Sequence, residues 1–285
     1  MKSKILPVIV FTVLVLSVGI TPAFAANISG EVKTTGGLTM NGAWVTSEAT
    51  NTYAKAIQPS SGDYSVGPTA SSNTVSAAQY LFNRGIQTGV SGSATNVDFS
   101  LGTRSAETME YVIAVDGMST TTMRSHINGA KEYFQYEHTI NFSEDSSTSW
   151  THGTKTKCSE LITEVKSDVN WASLSANSDF LIAFVNIQMK DDDGVTDIHA
   201  CTDGVGSSTA SPVIVIGNTT PDYVRTIMHE MTHDYEIDHD GTSCTSQIPN
   251  IMAFGGTNGA PCTSQYIKNW TPSQDTTMQS RRTWY

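Results

Sequence analysis

Residues 229–239 read HEMTHDYEIDH, and this stretch constrains the fold and the chemistry more than any other part of the chain. On a helix, His229 and His233 lie one turn apart on the same face, so both imidazoles can reach one metal ion. Glu230 lies beside the first histidine and can take a proton from water at that metal. His239 is too far along a continuous helix to reach the same ion. We therefore expect the helix to end soon after His233 and the chain to double back.

Three protein ligands leave the fourth tetrahedral position of a zinc ion open, which is the arrangement of a catalytic rather than a structural site. Two other interpretations remain open at this point. The stretch is a surface helix with fortuitous histidines, or it binds zinc without doing chemistry. Glu230 argues against the second, because structural zinc needs no base.

The residues that follow narrow the comparison to one group of zinc enzymes. Asp240 comes directly after His239, Met252 stands in the string NIMA of residues 250–253, and residues 261–264 read PCTS. This order resembles the metzincin clan of zinc endopeptidases, and within it the adamalysin (reprolysin, ADAM-like) branch. The similarity covers roughly residues 108–275.

The resemblance implies a fold and a set of roles. The expected fold is an α/β (α+β) catalytic domain with a mixed, mostly parallel sheet and an active-site helix. The zinc ligands would be His229, His233 and His239, with Glu230 as the general base. Met252 would form an apolar floor under the imidazoles without being a ligand.

One position departs from the family pattern. The pattern has glycine three residues after the second histidine, where the helix must stop, and this chain has Glu236 there. Glycine adopts positive φ at no cost, whereas another residue is destabilised by about 1 kcal/mol. Either Glu236 accepts that strain, or the helix ends one residue differently.

The chain begins with the features of a secretory signal peptide. Lys2 and Lys4 precede a mostly apolar run over residues 5–20, and residues 23–25 read AFA, a small-x-small cleavage site. We assign residues 1–25 to the signal peptide and exclude them from the fold. The alternative, an uncleaved membrane anchor, is disfavoured because the run is short for a membrane span.

Composition restricts the partners of the remaining chain. The formal net charge is −11 at pH 7 and only 15% of the residues are charged. An acidic chain is a poor ligand for nucleic acid or anionic membranes. We expect a secreted, extracellular protein that acts on a peptide or protein substrate and has no membrane contact after signal cleavage. The oligomeric state stays open.

All four cysteines fall in the second half of the chain. An even number in a secreted protein indicates two disulfides, and three pairings are possible. We favour Cys244–Cys262, which would close a loop around the methionine turn. Cys158–Cys201 would then tie a helix to the strand side of the cleft.

Residues 26–104 have the pattern of an all-β segment, with short alternating stretches separated by Gly, Ser and Asn. They resemble the carboxypeptidase regulatory-like (transthyretin-like) β-sandwich. The predicted core residues are Ile28, Val32, Trp44, Val45, Tyr64, Val66, Val75 and Phe99. The segment contains neither His nor Cys, so we expect it to carry no chemistry.

Residues 105–285 alternate between strand and helix patterns, which indicates an α/β sheet. The predicted strands are residues 111–115, 180–187 and 213–216, and helices are expected around residues 123–134, 161–169 and 263–270. For the active-site helix, Thr220 is the expected cap and Pro221 the first helical residue. The resemblance places an antiparallel edge strand near residues 196–201.

Oxygen ligands for a second metal occur at residues 191–194, which read DDDG, together with Asp197. They suit Ca²⁺, but a solvated hairpin turn is the alternative. His126, His138 and His152 have no partner at ligand spacing, so we expect them at the surface or in the core. His199 lies in the expected edge strand, and we read it as a cleft-edge or surface residue, with a metal role as the alternative.

The sequence thus predicts a secreted two-domain zinc endopeptidase. Its first rival is a zinc-bound extracellular binding or adhesion module with weak or no catalysis. The second is a zinc hydrolase of another clan whose third ligand is a distal glutamate.

Overall fold

A computed structural model describes residues 26–49, 52–60, 62–67, 69–203, 211–239, 251–252, 254–255, 260–261, 270–281 and 283. The predicted signal peptide and the residues Asp240, Cys244 and Cys262 lie outside this part of the chain. Within the described residues, no helix has both the length and the apolar character needed to cross a membrane.

The N-terminal part contains short strands only, in the residues that are described. They are β1 (Ile28–Gly30), β2 (Val32–Thr34), β3 (Trp44–Ala49), β4 (Thr52–Ile57), β5 (Tyr64–Val66), β6 (Ser72–Ala78), β7 (Gly85–Ser91) and β8 (Phe99–Leu101). Four of them form an antiparallel sheet in the order β4-β3-β6-β7, and β1 pairs with β5 and β2 with β8. A separate sandwich domain stays a prediction.

All eight predicted core residues of this part are buried. Seven of them belong to one apolar cluster, together with Met40 and Leu101. Trp44 differs, because its ring stacks on Tyr136 at 4.5 Å and meets Tyr133 edge-on at 5.3 Å. Trp44 therefore packs against the second half of the chain, and this contact joins the two halves.

The second half is built on a five-stranded mixed sheet. Its strands are β9 (Glu107–Asp116), β10 (Ile140–Ser149), β11 (Phe180–Val185), β14 (Ala200–Thr202) and β15 (Val213–Gly217), in the order β10-β9-β11-β15-β14. All neighbours are parallel except β14, which runs antiparallel to β15. The predicted mixed, mostly parallel sheet is thus observed.

Helices cover both faces of this sheet. They are α1 (Thr120–Tyr133), α2 (Cys158–Asp168), α3 (Trp171–Leu174), α4 (Tyr223–His233) and α5 (Pro272–Arg281), and a π-helical turn, Phe134–His138, continues α1. Strand residues alternate between faces. Ile113 therefore packs with α1 and α4, whereas Val112 packs with α2.

The active-site helix α4 begins later than the sequence predicts. Asp222 is the N-cap, and its carboxylate accepts a 3.1 Å hydrogen bond from the Arg225 amide. Thr220 instead donates its hydroxyl to the His199 carbonyl at 3.2 Å, so neither Thr220 nor Pro221 belongs to the helix. Asp is as good an N-cap as any residue, and the Thr220 hydroxyl is engaged elsewhere.

The last described helix also lies beyond the predicted one. Residues 262–269 fall outside the described part, and Trp270 is buried but not helical. Helix α5 starts with a capping box in which Thr271 and Gln274 exchange side chain–backbone hydrogen bonds of 2.9 and 3.2 Å. Pro272 occupies the first helical position. The string TPSQ carries this signal in the sequence.

The predicted edge strand is divided into two pieces. Asp197–Ile198 (β13) pairs with Met189–Lys190 (β12) as a hairpin, and only Ala200–Thr202 (β14) extends the main sheet. The carboxylate of Asp193 accepts hydrogen bonds from the amides of Val195 and Thr196 within this hairpin. The turn uses the acidic groups for its own structure, so calcium binding is not supported.

Candidate metal centre

Three imidazoles converge at the C-terminal end of α4. The Nε2 atom of His239 lies 3.1 Å from Nε2 of His229 and 3.3 Å from Nε2 of His233. One ligand atom from each residue lies within 4.8 Å of the others. The predicted arrangement of two histidines on the helix and a third from the returning chain is therefore present.

Hydrogen bonds fix the orientation of the two helical histidines. Nδ1 of His229 lies 2.7 Å from the Ile251 carbonyl oxygen, and Nδ1 of His233 lies 2.9 Å from that of Ile237. A carbonyl oxygen only accepts, so each Nδ1 carries the proton and donates it. Each Nε2 then presents a lone pair to the common point, and such outer partners usually orient metal-ligating histidines.

The protonation state of these rings suits metal binding. Burial lowers the pKa of His229 well below its ordinary value, and the neighbouring His233 lowers it further. Burial, followed by the nearby His239, lowers the pKa of His233 to about 4. Both rings are consequently neutral at pH 7, as a metal ligand must be.

The spacing of the nitrogen atoms matches a tetrahedral ion. Ligands at about 2.0–2.1 Å from zinc in tetrahedral geometry lie about 3.3 Å from one another. The two Nε2–Nε2 distances of 3.1 and 3.3 Å agree with this edge length. Three imidazoles without a carboxylate ligand are also a donor set that zinc accepts. The residues present thus fit a zinc ion.

The turn that returns His239 is built around Glu236. Helix α4 ends at His233, and the amide of Glu236 donates a 2.8 Å hydrogen bond to the His233 carbonyl. Glu236 has a φ of 55°, in the left-handed region. The sequence left two possibilities for this position, and the residue accepts the backbone conformation for which glycine is favoured.

Glu230 lies in the same turn of α4 as His229, and its side chain is buried, with 8% exposed. Burial raises the pKa of this carboxyl to about 8, and the positive charge of Arg225 opposes the rise. A carboxyl with a pKa near neutrality can both accept and deliver a proton. Perturbed acids of this kind are common at catalytic sites.

The two described residues of the predicted methionine turn, Ile251 and Met252, are apolar and buried. Met252 is fully buried, and it belongs to the same core cluster as Met228 and Met231 of α4. The preceding Ile251 carbonyl accepts from His229 and lies 3.5 Å from an Nη of the buried Arg225. The floor under the imidazoles stays a prediction for Met252, and residues 250 and 253 lie outside the described part.

Asp234 is a site-adjacent residue that the sequence did not single out. It is buried directly after His233, and its carboxylate accepts a 3.0 Å hydrogen bond from Thr202 of the edge strand. Burial raises its pKa well above the ordinary value. Asp234 therefore links β14 to the end of α4. Its position next to a predicted ligand is the only sequence signal for it.

The predicted disulfide between Cys158 and Cys201 is present, with a Cα–Cα distance of 6.2 Å. It joins the first residue of α2 to the edge strand β14. The favoured partner pair, Cys244 and Cys262, lies outside the described residues and stays a prediction.

In the described part of the chain, the other histidines do not belong to the group of three imidazoles. His199 is within 3.3 Å of the Thr219 hydroxyl, His126 stacks on Tyr223, and His152 contacts the Asp116 carboxylate. None of these three joins a group of possible metal ligands within the described part of the chain.

His138 belongs to a second cluster of possible ligands, with Glu137 and Asp275. All three are buried, but the guanidinium of Arg84 already contacts both carboxylates. Arg84 thus stands where a cation would bind. The sequence gave no signal for this cluster, because Asp275 lies far along the chain from the adjacent Glu137 and His138.

No family model and no curated protein matches this chain. Among solved structures, a chaperone–substrate complex covers 79% of this chain at 8% identity and a TM-score of 0.41, and this chain spans only 39% of its length. Archaemetzincin from Methanopyrus kandleri covers 61% at 11% identity and a TM-score of 0.45, with 95% of its own length covered. Metalloproteinase-II from Bacteroides fragilis covers 62% at 10% identity and a TM-score of 0.43, with 54% covered. Likenesses this weak do not establish a family.

Proposed function

We propose that this protein is a secreted zinc-dependent endopeptidase. The observation that supports it most is the convergence of the Nε2 atoms of His229, His233 and His239 at tetrahedral spacing. A buried carboxyl, Glu230, accompanies them on the same helix. A ligand set of three imidazoles beside one buried acid is what a hydrolytic zinc site requires.

The three histidines would hold the ion, and the carbonyls of Ile251 and Ile237 would keep two of the rings in the ligating tautomer. Bound zinc would supply a Lewis acid that polarises the scissile carbonyl and lowers the pKa of water toward neutrality. With His239 as the third protein ligand, the ion would still have room to bind water or substrate.

Glu230 would act as the general base and then as the general acid. Its carboxylate takes a proton from the attacking water and later delivers it to the leaving amine. Burial raises the pKa of Glu230 to about 8, and a nearby cation lowers it again. These opposing effects keep the pKa of Glu230 close to neutrality, where the group can both take up a proton and deliver it.

A peptide substrate would bind in extended form beside the edge strand β14 (Ala200–Thr202). This strand is at the end of the strand order of the sheet, and an edge strand can pair with an added peptide through main-chain hydrogen bonds. The disulfide at Cys201 ties this strand to α2, and the Asp234–Thr202 hydrogen bond ties it to the end of α4. We expect no nucleic acid or membrane partner.

We further propose that the enzyme is a metzincin of the adamalysin-like type, preceded by a carboxypeptidase regulatory-like sandwich. The motif of residues 229–239, Asp240 and the buried Met252 support the first part. The all-β pattern of residues 26–104 supports the second. Secretion is supported by the signal-like residues 1–25 and by the Cys158–Cys201 disulfide, since disulfides persist in oxidising compartments.

The decisive experiment compares the purified mature chain with its Glu230→Ala variant. We expect both proteins to contain one zinc ion by elemental analysis, and only the unaltered chain to cleave casein. Loss of zinc from Glu230→Ala would show that the residue is a ligand and not the base. Equal absence of cleavage in two zinc-loaded proteins would favour the binding or adhesion module instead.

A further inference from the structure

We propose that Arg281 is a positioning residue that holds the turn after α4 in the conformation that delivers His239 to the metal. The inference rests on the proposed zinc site and goes beyond it, because Arg281 lies on α5, far from the motif in sequence. Its side chain does not contact the metal-binding atoms. It acts through the backbone and side chain of two turn residues, Tyr235 and Glu236.

The turn needs support because of its residue types. Glu236 has a φ of 55°, and this left-handed conformation is unfavourable for an L-residue other than glycine. Left to itself, the backbone at Glu236 would relax toward negative φ. His239 follows three residues later, so such a rotation would displace its imidazole from the two helical histidines.

One guanidinium contacts two groups of the turn, the backbone carbonyl of Tyr235 and the side chain of Glu236. Nη1 of Arg281 donates a 2.5 Å hydrogen bond to the Tyr235 carbonyl, and Nη2 lies 2.9 Å from the Glu236 carboxylate. A planar fork with fixed N–H directions can make both contacts at once, whereas a lysine ammonium is a point charge. Glu236 thus forms an ion pair with Arg281 that glycine at this position could not form.

The helix that carries Arg281 is itself held in place. Its Asp275 is buried and pairs with Arg84, its Met278 is fully buried, and Gln279 donates to the Glu137 carbonyl at 3.3 Å. Arg281 therefore contacts the turn from a helix, α5, that is fixed by its own packing. A contact from an anchored helix restrains the turn, whereas a contact from a free terminus would follow its motion.

The expected signature is weaker zinc binding without loss of the fold. The Arg281 and Glu236 side chains are 26% and 41% exposed, and an ion pair this exposed contributes little to stability. Outer partners of metal ligands, in contrast, change metal affinity by about 10- to 100-fold. Zinc affinity and the stability of the metal-free protein, measured together, therefore separate a positioning role from a merely structural one.

The test uses the purified full mature chain with Arg281→Ala, Arg281→Lys and the control Arg124→Ala. Arg124 also pairs with a glutamate on the surface, Glu144, and its side chain is 39% exposed. Zinc affinity is measured by competition with a chromophoric chelator, and thermal melting is followed for each metal-free protein. We expect Arg281→Ala to weaken zinc binding about 10-fold, with melting similar to that of Arg124→Ala, whose affinity is unchanged.

Two further comparisons sharpen the result. Arg281→Lys should restore only part of the affinity, since one ammonium cannot span the Tyr235 carbonyl and the Glu236 carboxylate. In a Glu236→Gly background, Arg281→Ala should cost less affinity than in the natural chain, because glycine adopts positive φ without strain. The Co²⁺-substituted proteins should show an altered visible spectrum for Arg281→Ala alone among the single alanine variants.

Unchanged zinc affinity in Arg281→Ala would overturn the proposal. The proposal would also fail if Arg281→Ala reduced zinc affinity equally in the natural chain and in the Glu236→Gly background, and if metal-free Arg281→Ala melted far below Arg124→Ala. That combination would indicate general destabilisation. A chain that binds zinc but does not cleave casein would contradict the proposed function and leave this test intact.

Discussion

The guanidinium of Arg84 donates a 2.8 Å hydrogen bond to the carboxylate of Asp275, which follows 191 residues later in the chain. Arg84 also contacts the Glu137 carboxylate, and no more than 4% of any of the three side chains is exposed. The strand region that contains Arg84 is thereby joined to the last helix through buried charges. Such charges are tolerated only when they are paired.

We predict that Arg84→Met lowers the free energy of unfolding by about 3–5 kcal/mol, because it leaves two buried carboxylates without their cation. Urea unfolding of the metal-free mature chain measures this. Lys33→Met is the control, since its pair with Glu31 is solvent-exposed and should contribute little. Equal stability of the two variants would contradict the role given to Arg84.

The buried His138 of the same cluster predicts that the stability of the folded protein depends on pH. Burial lowers the pKa of His138 well below 6.5, and the positive charges of Arg84 and Arg104 lower it further. A carboxylate oxygen of Glu137 and one of Asp275 each lie within 4.8 Å of a ring nitrogen of His138. Below pH 6.5 the unfolded chain therefore binds a proton that the folded chain does not, and stability falls as the pH decreases.

In the natural chain, we expect His138 to lower the free energy of unfolding by up to about 1.4 kcal/mol for each pH unit below 6.5. The His138→Gln variant should lack this contribution. The measurement is urea unfolding of both metal-free proteins at pH 7.5, 6.5 and 5.5. His152→Gln, at a partly exposed histidine, is the control. Parallel pH profiles for the natural chain and His138→Gln would show that His138 is protonated in the folded protein.

We predict that His239→Ala weakens zinc binding by more than about 100-fold, which exceeds the loss caused by removing an outer partner. The reason is that two imidazoles on one helix turn remain without the third. Chelator competition measures the affinity, and His199→Ala serves as the control because His199 lies outside the cluster. An unchanged affinity would mean that the third ligand lies elsewhere, with a distal glutamate as the next candidate.

We predict that the double variant Cys158→Ser, Cys201→Ser lowers stability by up to about 4 kcal/mol, from the entropy of closing a loop between residues 43 apart. Because Cys201 lies in the edge strand β14, we also expect KM for peptides to rise more than kcat falls. Thermal unfolding and steady-state kinetics on a fluorogenic peptide test the two parts. Unchanged melting would show that the bridge does not constrain the unfolded chain.

Local patterns in the sequence were sufficient for the main elements of the site. The spacing of His229 and His233 requires only one helical turn, and the glutamate at position 236 already indicated where strain would occur. The apolar runs of β11 and β15 predicted a buried parallel sheet, which is observed. Each of these features depends on residues that are close together in the chain.

Boundaries were less well determined, because several residues compete for the same role. Thr220, Pro221 and Asp222 all suit a helix start, and the carboxylate of Asp222 makes the capping bond. The Thr220 hydroxyl is used by the His199 carbonyl. That competition is decided by the neighbouring strand, which the local sequence does not contain.

By itself, then, the sequence predicted the three histidines, the glutamate beside them and the class of fold, and it favoured the Cys158–Cys201 pair among three possible pairings. The tertiary structure alone decided what surrounds them. Arg84 meets Asp275, and Arg281 meets Glu236, only after the sheet, α4 and α5 have packed. Charge pairs of this kind have no periodicity or spacing, because they arise between distant segments brought together by the burial of apolar surface.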